Sequence, residues 1–361
     1  MELRPLRFIR NLGRMRQIVS VLLNHGFGDL VERLHLGGYF RWGRRVLFKK
    51  RGPQQPLSRA QRIRLALEEL GPTFIKFGQV VSTRPDLVPE DVLNELKQLR
   101  ENVPPFSPEI ARVRVESSIG LPVSNAFAEF TTEPLAAGSL AQVHRATHLD
   151  GHELAIKILR PGITAEIERD ISLMHEFAVL IERYIPEAQV FDPIGLVGHF
   201  AQTIRRELNL TREARTLEEF QRLFRHDATL TVPTVFHELS SDTVLSMDFV
   251  DGERLDDPEK LAQLGIDCST LAANGARIFL KQAFELGIFH GDPHPGNIRV
   301  LADGTLCLLD YGMVGHLDEK TRDSLIDLLV AIVRRDPEAA VRVVEEIGQP
   351  FTEIDRPLLR A

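Results

Sequence analysis

The chain has 361 residues, 43% hydrophobic and 26% charged, proportions that exclude disordered, collagen-like and fibrous classes. Two cysteines, Cys268 and Cys307, leave no disulfide framework and no four-cysteine zinc site, which fits a reducing compartment. The net charge of −7 is uneven: residues 1–51 hold twelve Lys and Arg against Glu2, Asp29 and Glu32, a balance of +9 that leaves −16 for the remainder. Two regions with different electrostatic partners are therefore expected.

At the amino terminus Phe8, Ile9, Leu12, Met15, Ile18, Val19, Leu22 and Leu23 recur at helical spacing, and Tyr39, Phe40 and Trp42 sit among Arg41, Arg44 and Arg45. That pattern suits a basic amphipathic helix on an anionic membrane surface. It suits equally a helix packed on the rest of the protein with a solvated basic face. No stretch reaches the roughly 18 uninterrupted apolar residues that a membrane span needs. Basic residues interspersed with apolar ones give no signal-peptide pattern. Nucleic acid is not an expected partner, because no recognised binding motif accompanies the charge and the remainder is acidic.

Residues 52–60 read as a linker. Helices are predicted from Ile63 to Leu70, over 73–82, over 89–101 and over 109–118, with breaks at Gly71-Pro72, Arg84-Pro85-Asp86 and Pro104-Pro105. From about residue 126 the period changes to two. Strands are predicted at Phe127–Phe130, Val143–Thr147 and Glu153–Leu159, the last two joined at Asp150-Gly151, a strong hairpin signal. Helical spacing returns over 164–184 and 193–226. Strands follow at Val232–Phe236 and Thr243–Phe249, a helical stretch over 258–287, short strands around Asp303-Gly304, and a helical tail from about 318. The regions are thus 1–60, a basic amphipathic segment and linker; 61–120, a helical extension; 121–250, a strand-rich lobe with a helical insertion; and 251–361, a mainly helical lobe.

The sharpest cluster is His290-Gly291-Asp292-Pro293-His294-Pro295-Gly296-Asn297, followed thirteen residues later by Asp310-Tyr311-Gly312 behind the apolar run Leu306–Leu309. An Asp, an Asn five residues on, and a second Asp leading into an aromatic-Gly pair form the set that phosphoryl transfer requires. One carboxylate orients or deprotonates the acceptor hydroxyl; an amide oxygen and a second carboxylate hold Mg²⁺ against a triphosphate. Asp292 takes the first role and Asn297 and Asp310 the second. His290 and His294 lack a third ligand at metal-site spacing, so His290 is read as a hydrogen-bonding support of the loop.

Upstream, Lys157 of Ala155-Ile156-Lys157 occupies the place of the strand lysine that pairs with nucleotide phosphates. Before it, Ala136-x-Gly138-x-x-Ala141-x-Val143 matches a glycine-rich phosphate loop in spacing, with two glycines replaced by alanine. Alanine resists φ > 0 at a cost of roughly 1–2 kcal/mol, so a stiffer or differently shaped loop is expected. The nucleotide-binding set is Ala136, Gly138, Ser139, Ala141, Val143, Lys157 and Val250. Either Glu176 or an acid on the helix that holds Glu207-Leu208-Asn209-Leu210-Thr211-Arg212-Glu213 could pair with Lys157; spacing does not choose between them.

These residues resemble the UbiB/AarF/ADCK family of atypical kinases. Lys76-Phe77-Gly78-Gln79 looks like the family's Lys-x-Gly-Gln motif and continues into Ser82–Pro89. Ala136–His144 is similar to its alanine-rich loop, and His290–Asn297 with Leu309–Gly312 completes the match. Alone, the His290–Asn297 segment would equally suit aminoglycoside or choline kinases.

The resemblance implies an α+β, bilobal protein-kinase-like fold with an amino-terminal helical extension and a short carboxy-terminal lobe. It implies that Lys76 and Gln79 cover the active site, that Glu213 pairs with Lys157 ahead of Glu176, and that Glu207 contacts Lys76. Asn209 stands where the family's Glu-x-Asp motif has Asp, which removes a negative charge. Implied cofactors are ATP or ADP and Mg²⁺. Membrane lipids, quinone precursors and quinone-biosynthesis enzymes are the implied partners, in ubiquinone biosynthesis at the cytoplasmic side of a membrane. Catalysis by Asp292, Lys157 and Glu213 as an ATP-dependent kinase or ATPase is the leading reading; a nucleotide-gated binding protein without phosphotransfer is the alternative, ahead of a small-alcohol or aminoglycoside kinase. Only 51 residues follow Asp310, so apolar surface is expected to be exposed on the helices near 321–333, and attachment to the membrane is peripheral unless a further hydrophobic segment follows.

Overall fold

The computed structural model describes residues 11–36, 57–99 and 104–348. The amino-terminal positions Phe8 and Ile9, the aromatic-basic stretch around Trp42 and most of the 52–60 linker lie outside the described residues. Contacts divide the chain into two compact units, Met1–Leu210 with His237–Ser246, and Thr211–Phe236 with Met247–Ala361.

The first unit opens with α1 (Leu12–Asn24) and α2 (Gly28–Arg33). The apolar stripe read from the sequence is real, but Met15, Ile18, Val19 and Val21 are buried in protein. This helix face is therefore covered, and the packed alternative describes α1. Arg14 anchors it: Nε and Nη2 donate to the two Asp170 oxygens at 2.8 and 2.7 Å, and Nη2 also donates to the Leu70 carbonyl at 2.7 Å. The helices α3 (Arg59–Leu70), α4 (Pro72–Ser82) and α5 (Glu90–Leu96) follow. Ser58 starts α3 with a capping box to Gln61, which satisfies two orphan amide donors. Gly71, at φ +96°, turns the chain, and Pro72 begins α4 with its ring φ already helical. Ala60, Ile75, Val81, Val92, Leu96 and Leu99 close these helices into one apolar cluster.

After α6 (Pro108–Ile119) and the short α7 (Val123–Ala126) comes a sheet of β1 (Phe127–Phe130), β2 (Ala136–Ala137), β3 (Ala141–His148) and β4 (Glu153–Leu159). Its order is β1-β3-β4 with β2 beside β3, and the strand Val244–Asp248 adds outside β4. Gly151 at φ +93° makes the predicted hairpin turn. Long α8 (Ile163–Tyr184) and α9 (Pro193–Glu207) complete the unit. The single helical stretch read over 193–226 is broken at Leu208-Asn209, because the Leu210 amide is taken by the Asp242 carbonyl.

The second unit begins with α10 (Leu210–Phe224) and β5 (Leu230–Thr231). The strand expected at Val232–Phe236 is reduced to one bridge, Val235 to Met247 on β6 (Val244–Asp248). β7 (Glu253–Arg254), α11 (Pro258–Gln263) and α12 (Cys268–Leu280) follow, and α12 widens into a π turn over Lys281–Leu286 before Gly287. Then come β8 (Ile288–His290), β9 (Ile298–Val300), β10 (Leu306–Leu308), β11 (Val314–His316), α13 (Glu319–Arg334) and α14 (Pro337–Gly348). One sheet runs β5-β10-β9-β7, and β8 pairs with β11. Ile326, Leu329, Val330, Ile332 and Val333 on α13 are exposed, as expected from the sequence. No helix among the described residues is long and apolar enough to cross a membrane.

Candidate active site

In the first unit, strand register brings residues of the alanine-rich loop and Lys157 into line. Ala136 on β2 faces Val143 on β3, and Val143 faces Lys157 on β4. Side chains of directly paired residues share one face of a sheet, so an alanine, a valine and the lysine form a row. The opposite face of β3 carries Gln142, His144 and Ala146, all buried. The loop itself is closed: the Gly138 amide donates to the Ala141 carbonyl at 2.8 Å, and Arg160 Nε donates to the Gly138 carbonyl at 2.9 Å. Ser139 is fully buried beneath it.

Lys76 and Gln79 lie on α4. Lys76 Nζ sits 3.4 Å from Glu207 Oε2 at the end of α9, both side chains largely shielded. Phe77 meets Phe200 of α9 edge-on at 5.3 Å, fixing the same helix pair. Gln79 Nε2 reaches the Leu99 carbonyl at 3.5 Å. Gly78 lets the helix pack closely, since a Cβ there would press on the side-chain ends of Leu99 and Leu67 and force them to shift.

In the second unit, two strand pairings assemble the acid-amide set. The Asp292 loop leads from β8 to β9, and Asp310-Tyr311-Gly312 leads from β10 to β11. Because β9 pairs with β10 and β8 with β11, the two loops emerge side by side. The Leu309 amide donates to the Asn297 carbonyl at 2.9 Å, and the Gly291 amide to the Met313 carbonyl at 2.9 Å. Asn297 Nδ2 donates to Asp292 Oδ2 at 3.0 Å and to its carbonyl at 3.3 Å. The Gly312 amide donates to Asp310 Oδ1 at 3.0 Å.

This arrangement fits Mg²⁺. With the Asn297 NH₂ engaged on Asp292, the amide oxygen is its remaining ligand atom. Together with the Asp310 carboxylate it makes an all-oxygen pair, the sparse protein set typical of Mg²⁺ that keeps waters and phosphate oxygens. Among the described residues no group of three or more His, Cys, Asp or Glu forms a metal cluster.

His290 supports the loop as expected. Its amide donates to the buried Gln282 Oε1 at 2.8 Å, and its Nδ1 accepts the Asp292 amide at 3.2 Å. Burial holds its pKa below the ordinary imidazole value, against the opposing pull of Asp310 and Asp292. The neutral ring is therefore favoured, with Nδ1 free to accept. Glu213 is buried on α10, and Val250 lies half-buried just past β6; Lys157 and Glu213 belong to different units.

Sequence reasoning did not assign Gln142, His144, Arg160 and Gln282. The first two had a legible signal, polar side chains on the inward phase of a strand. Gln282 had none, because its direction depends on the π turn.

A family model for the ABC1 atypical kinase-like domain matches residues 98–344. Curated relatives named "Probable protein kinase UbiB" are 42% identical over 288 residues in Marinobacter nauticus, covering 79% of this chain and 53% of that protein, and 39% identical over 349 residues in Aeromonas salmonicida, covering 95% and 64%. The chain thus spans roughly half to two thirds of the length of these relatives. Among solved structures, the complex of Rv3197 with erythromycin from Mycobacterium tuberculosis superposes with a TM-score of 0.58 at 22% identity, covering 78% of this chain and 70% of that one. The likeness establishes an α+β protein-kinase-like fold.

Proposed function

Because the chain belongs to the ABC1 atypical kinase-like family, we propose that it binds ATP or ADP with Mg²⁺ and works as a UbiB-type kinase or ATPase in isoprenoid-quinone biosynthesis at a membrane surface. The observation that carries the reading is the convergence of Asp292, Asn297 and Asp310 at adjoining loop ends. Asn297 and Asp310 would hold the metal, which supplies charge neutralisation to the phosphates when bound. Asp292, oriented by the Asn297 amide, would position an acceptor hydroxyl or water and take its proton. Lys157, level with Val143 and Ala136, would meet the phosphates as a cation. The surface role is supported by the +9 balance of residues 1–51 and by the family resemblance; with the α1 apolar stripe buried in protein, lipid contact would fall to other residues.

Asp310→Asn is expected to abolish the thermal shift that MgATP gives the wild type; an unchanged shift would remove Asp310 from the metal site. ATP hydrolysis should rise with anionic vesicles containing a phenolic quinone precursor. A second reading, a nucleotide-gated binding protein, is favoured by the closed alanine loop and the Lys76–Glu207 pair. Tight nucleotide binding without hydrolysis under any of these conditions would select it.

A further inference from the structure

Between the cover helix α4 and the strand-rich part of the first unit, the chain passes through residues 104–107. This strap is fastened to β3 and the alanine loop at two points. Gln142, fully buried on β3, accepts the Phe106 amide on Oε1 at 3.1 Å and extends Nε2 toward the Phe106 carbonyl at 3.5 Å. It reads both backbone groups of one residue, as a neighbouring strand would. Its amide is fixed from the other side, since Nε2 also donates to His144 Nε2 at 2.7 Å while His144 Nδ1 meets the Thr131 carbonyl at 2.8 Å.

Arg160 makes the second fastening. Its Nε donates to the Gly138 carbonyl at 2.9 Å, its Nη1 to the Pro104 carbonyl at 3.0 Å, and its guanidinium lies over the Phe106 ring at 5.7 Å. One rigid planar group thus bridges loop and strap, which a flexible ammonium with a single point of contact would do poorly. Five residues before Pro104, the Leu99 carbonyl receives Gln79 Nε2. Named contacts therefore join the strap to β3 through Gln142 and to Gly138 through Arg160.

We propose that Gln142 and Arg160 are positioning residues that rivet the 104–107 strap to the alanine loop, so that the loop opens toward a nucleotide only when the strap moves with it. The Gly138 amide is spent on Ala141, so presenting it to a phosphate means reopening the turn that Arg160 clamps. Breaking the Gln142–Phe106 pair leaves buried polar groups unsatisfied, which makes independent motion of the two segments costly. The consequence for nucleotide preference rests on the function proposed above; the mechanical coupling does not.

The test is hydrogen–deuterium exchange on the full chain without nucleotide, comparing wild type, Gln142→Met and Arg160→Gln. Each variant is expected to speed exchange about tenfold at both Phe106–Ser107 and Gly138–Leu140. Acceleration confined to one of the two segments would overturn the rivet. If Gln142→Met fails to fold, half-buried Arg160→Gln decides. Arg160→Lys, which keeps the charge and loses the fork, should behave like Arg160→Gln; wild-type exchange in that variant would overturn the role of the fork. Affinities for MgATP and MgADP form a separate arm, in which Arg160→Gln should change their ratio by about threefold, an amount below 1 kcal/mol. If the wild type binds neither, the nucleotide reading fails while the exchange result still stands.

Discussion

Tyr311 packs its ring edge-on to Phe220 of α10 at 4.9 Å and to His290 at the end of β8 at 5.2 Å, and the residue is 1% exposed. The hydroxyl finds no hydrogen-bond partner among the described residues, and burial raises its pKa well above the ordinary phenol value. A buried hydroxyl without a partner costs about 1–3 kcal/mol. Tyr311→Phe is therefore expected to stabilise the protein by about 1 kcal/mol in urea unfolding with nucleotide affinity unchanged; a loss of stability would mean that the hydroxyl has a bridging partner. Cys307 shows the same burial from another side. Its thiol is pushed up to about 12, so it packs as a small apolar group and is inert to thiolate chemistry. The residue types at Asp292, Asn297 and Asp310 were legible because their spacing mirrors a chemical requirement. That Asn297 braces Asp292 was not, since both lie in a loop whose conformation comes from the pairing of β8 with β11 and β9 with β10.

Element by element, α1 is fastened more firmly than a surface helix would be. Arg14 of α1 holds the Asp170 carboxylate of α8 while binding the carbonyl of Leu70, the last residue of α3. Asp170 has no exposed side-chain surface. Removing the cation would strand a buried carboxylate, for which about 3–5 kcal/mol is the usual cost. Arg14→Ala should therefore destabilise by about that amount in urea, and Arg14→Ala with Asp170→Ala should recover much of it; a cost below about 1 kcal/mol would place the pair in solvent. Neither Arg14 nor Asp170 was legible as a partner, because 156 residues separate them. Helix α4 itself was legible to within a residue at its start, since Gly71-Pro72 both ends one helix and begins the next. The third helix was read too long, over 89–101, where α5 is Glu90–Leu96, because apolar Leu96 and Leu99 continue the pattern for the sake of the cluster around them rather than for a helix.

For the whole molecule, two buried histidines, one in each unit, couple stability to pH. Desolvation holds both His144 and His290 below the ordinary imidazole pKa. Below about pH 6.5 the unfolded chain takes up protons that the folded chain refuses, so stability present at neutral pH is lost as pH falls from there toward the folded pKa values. The slope of unfolding free energy against pH just below about 6.5 should be positive, and His144→Gln or His290→Gln should each flatten it. An unchanged slope in both variants would assign the acid limb elsewhere, and the Asp227 carboxylate, held well below its usual range by Arg277, contributes only at lower pH.

The sequence by itself determined the chemistry at each position and the local breaks. Period-two alternation, Asp150-Gly151, Gly71-Pro72 and the Asp292–Asn297–Asp310 spacing are written in neighbouring residues, where steric and hydrogen-bond preferences act directly. Charge asymmetry was also legible, as a sum over residues. The tertiary structure decided what lies across long chain separations: the burial of the α1 stripe, the clamp of Arg160 on the alanine loop, the Gln142 hold on Phe106 and the π turn that aims Gln282 at His290. An amphipathic face looks the same in sequence whether lipid or protein covers it, because apolar surface is driven from water without regard to what replaces the water. The direction of a hydrogen bond between distant segments is likewise set only when packing has fixed both ends.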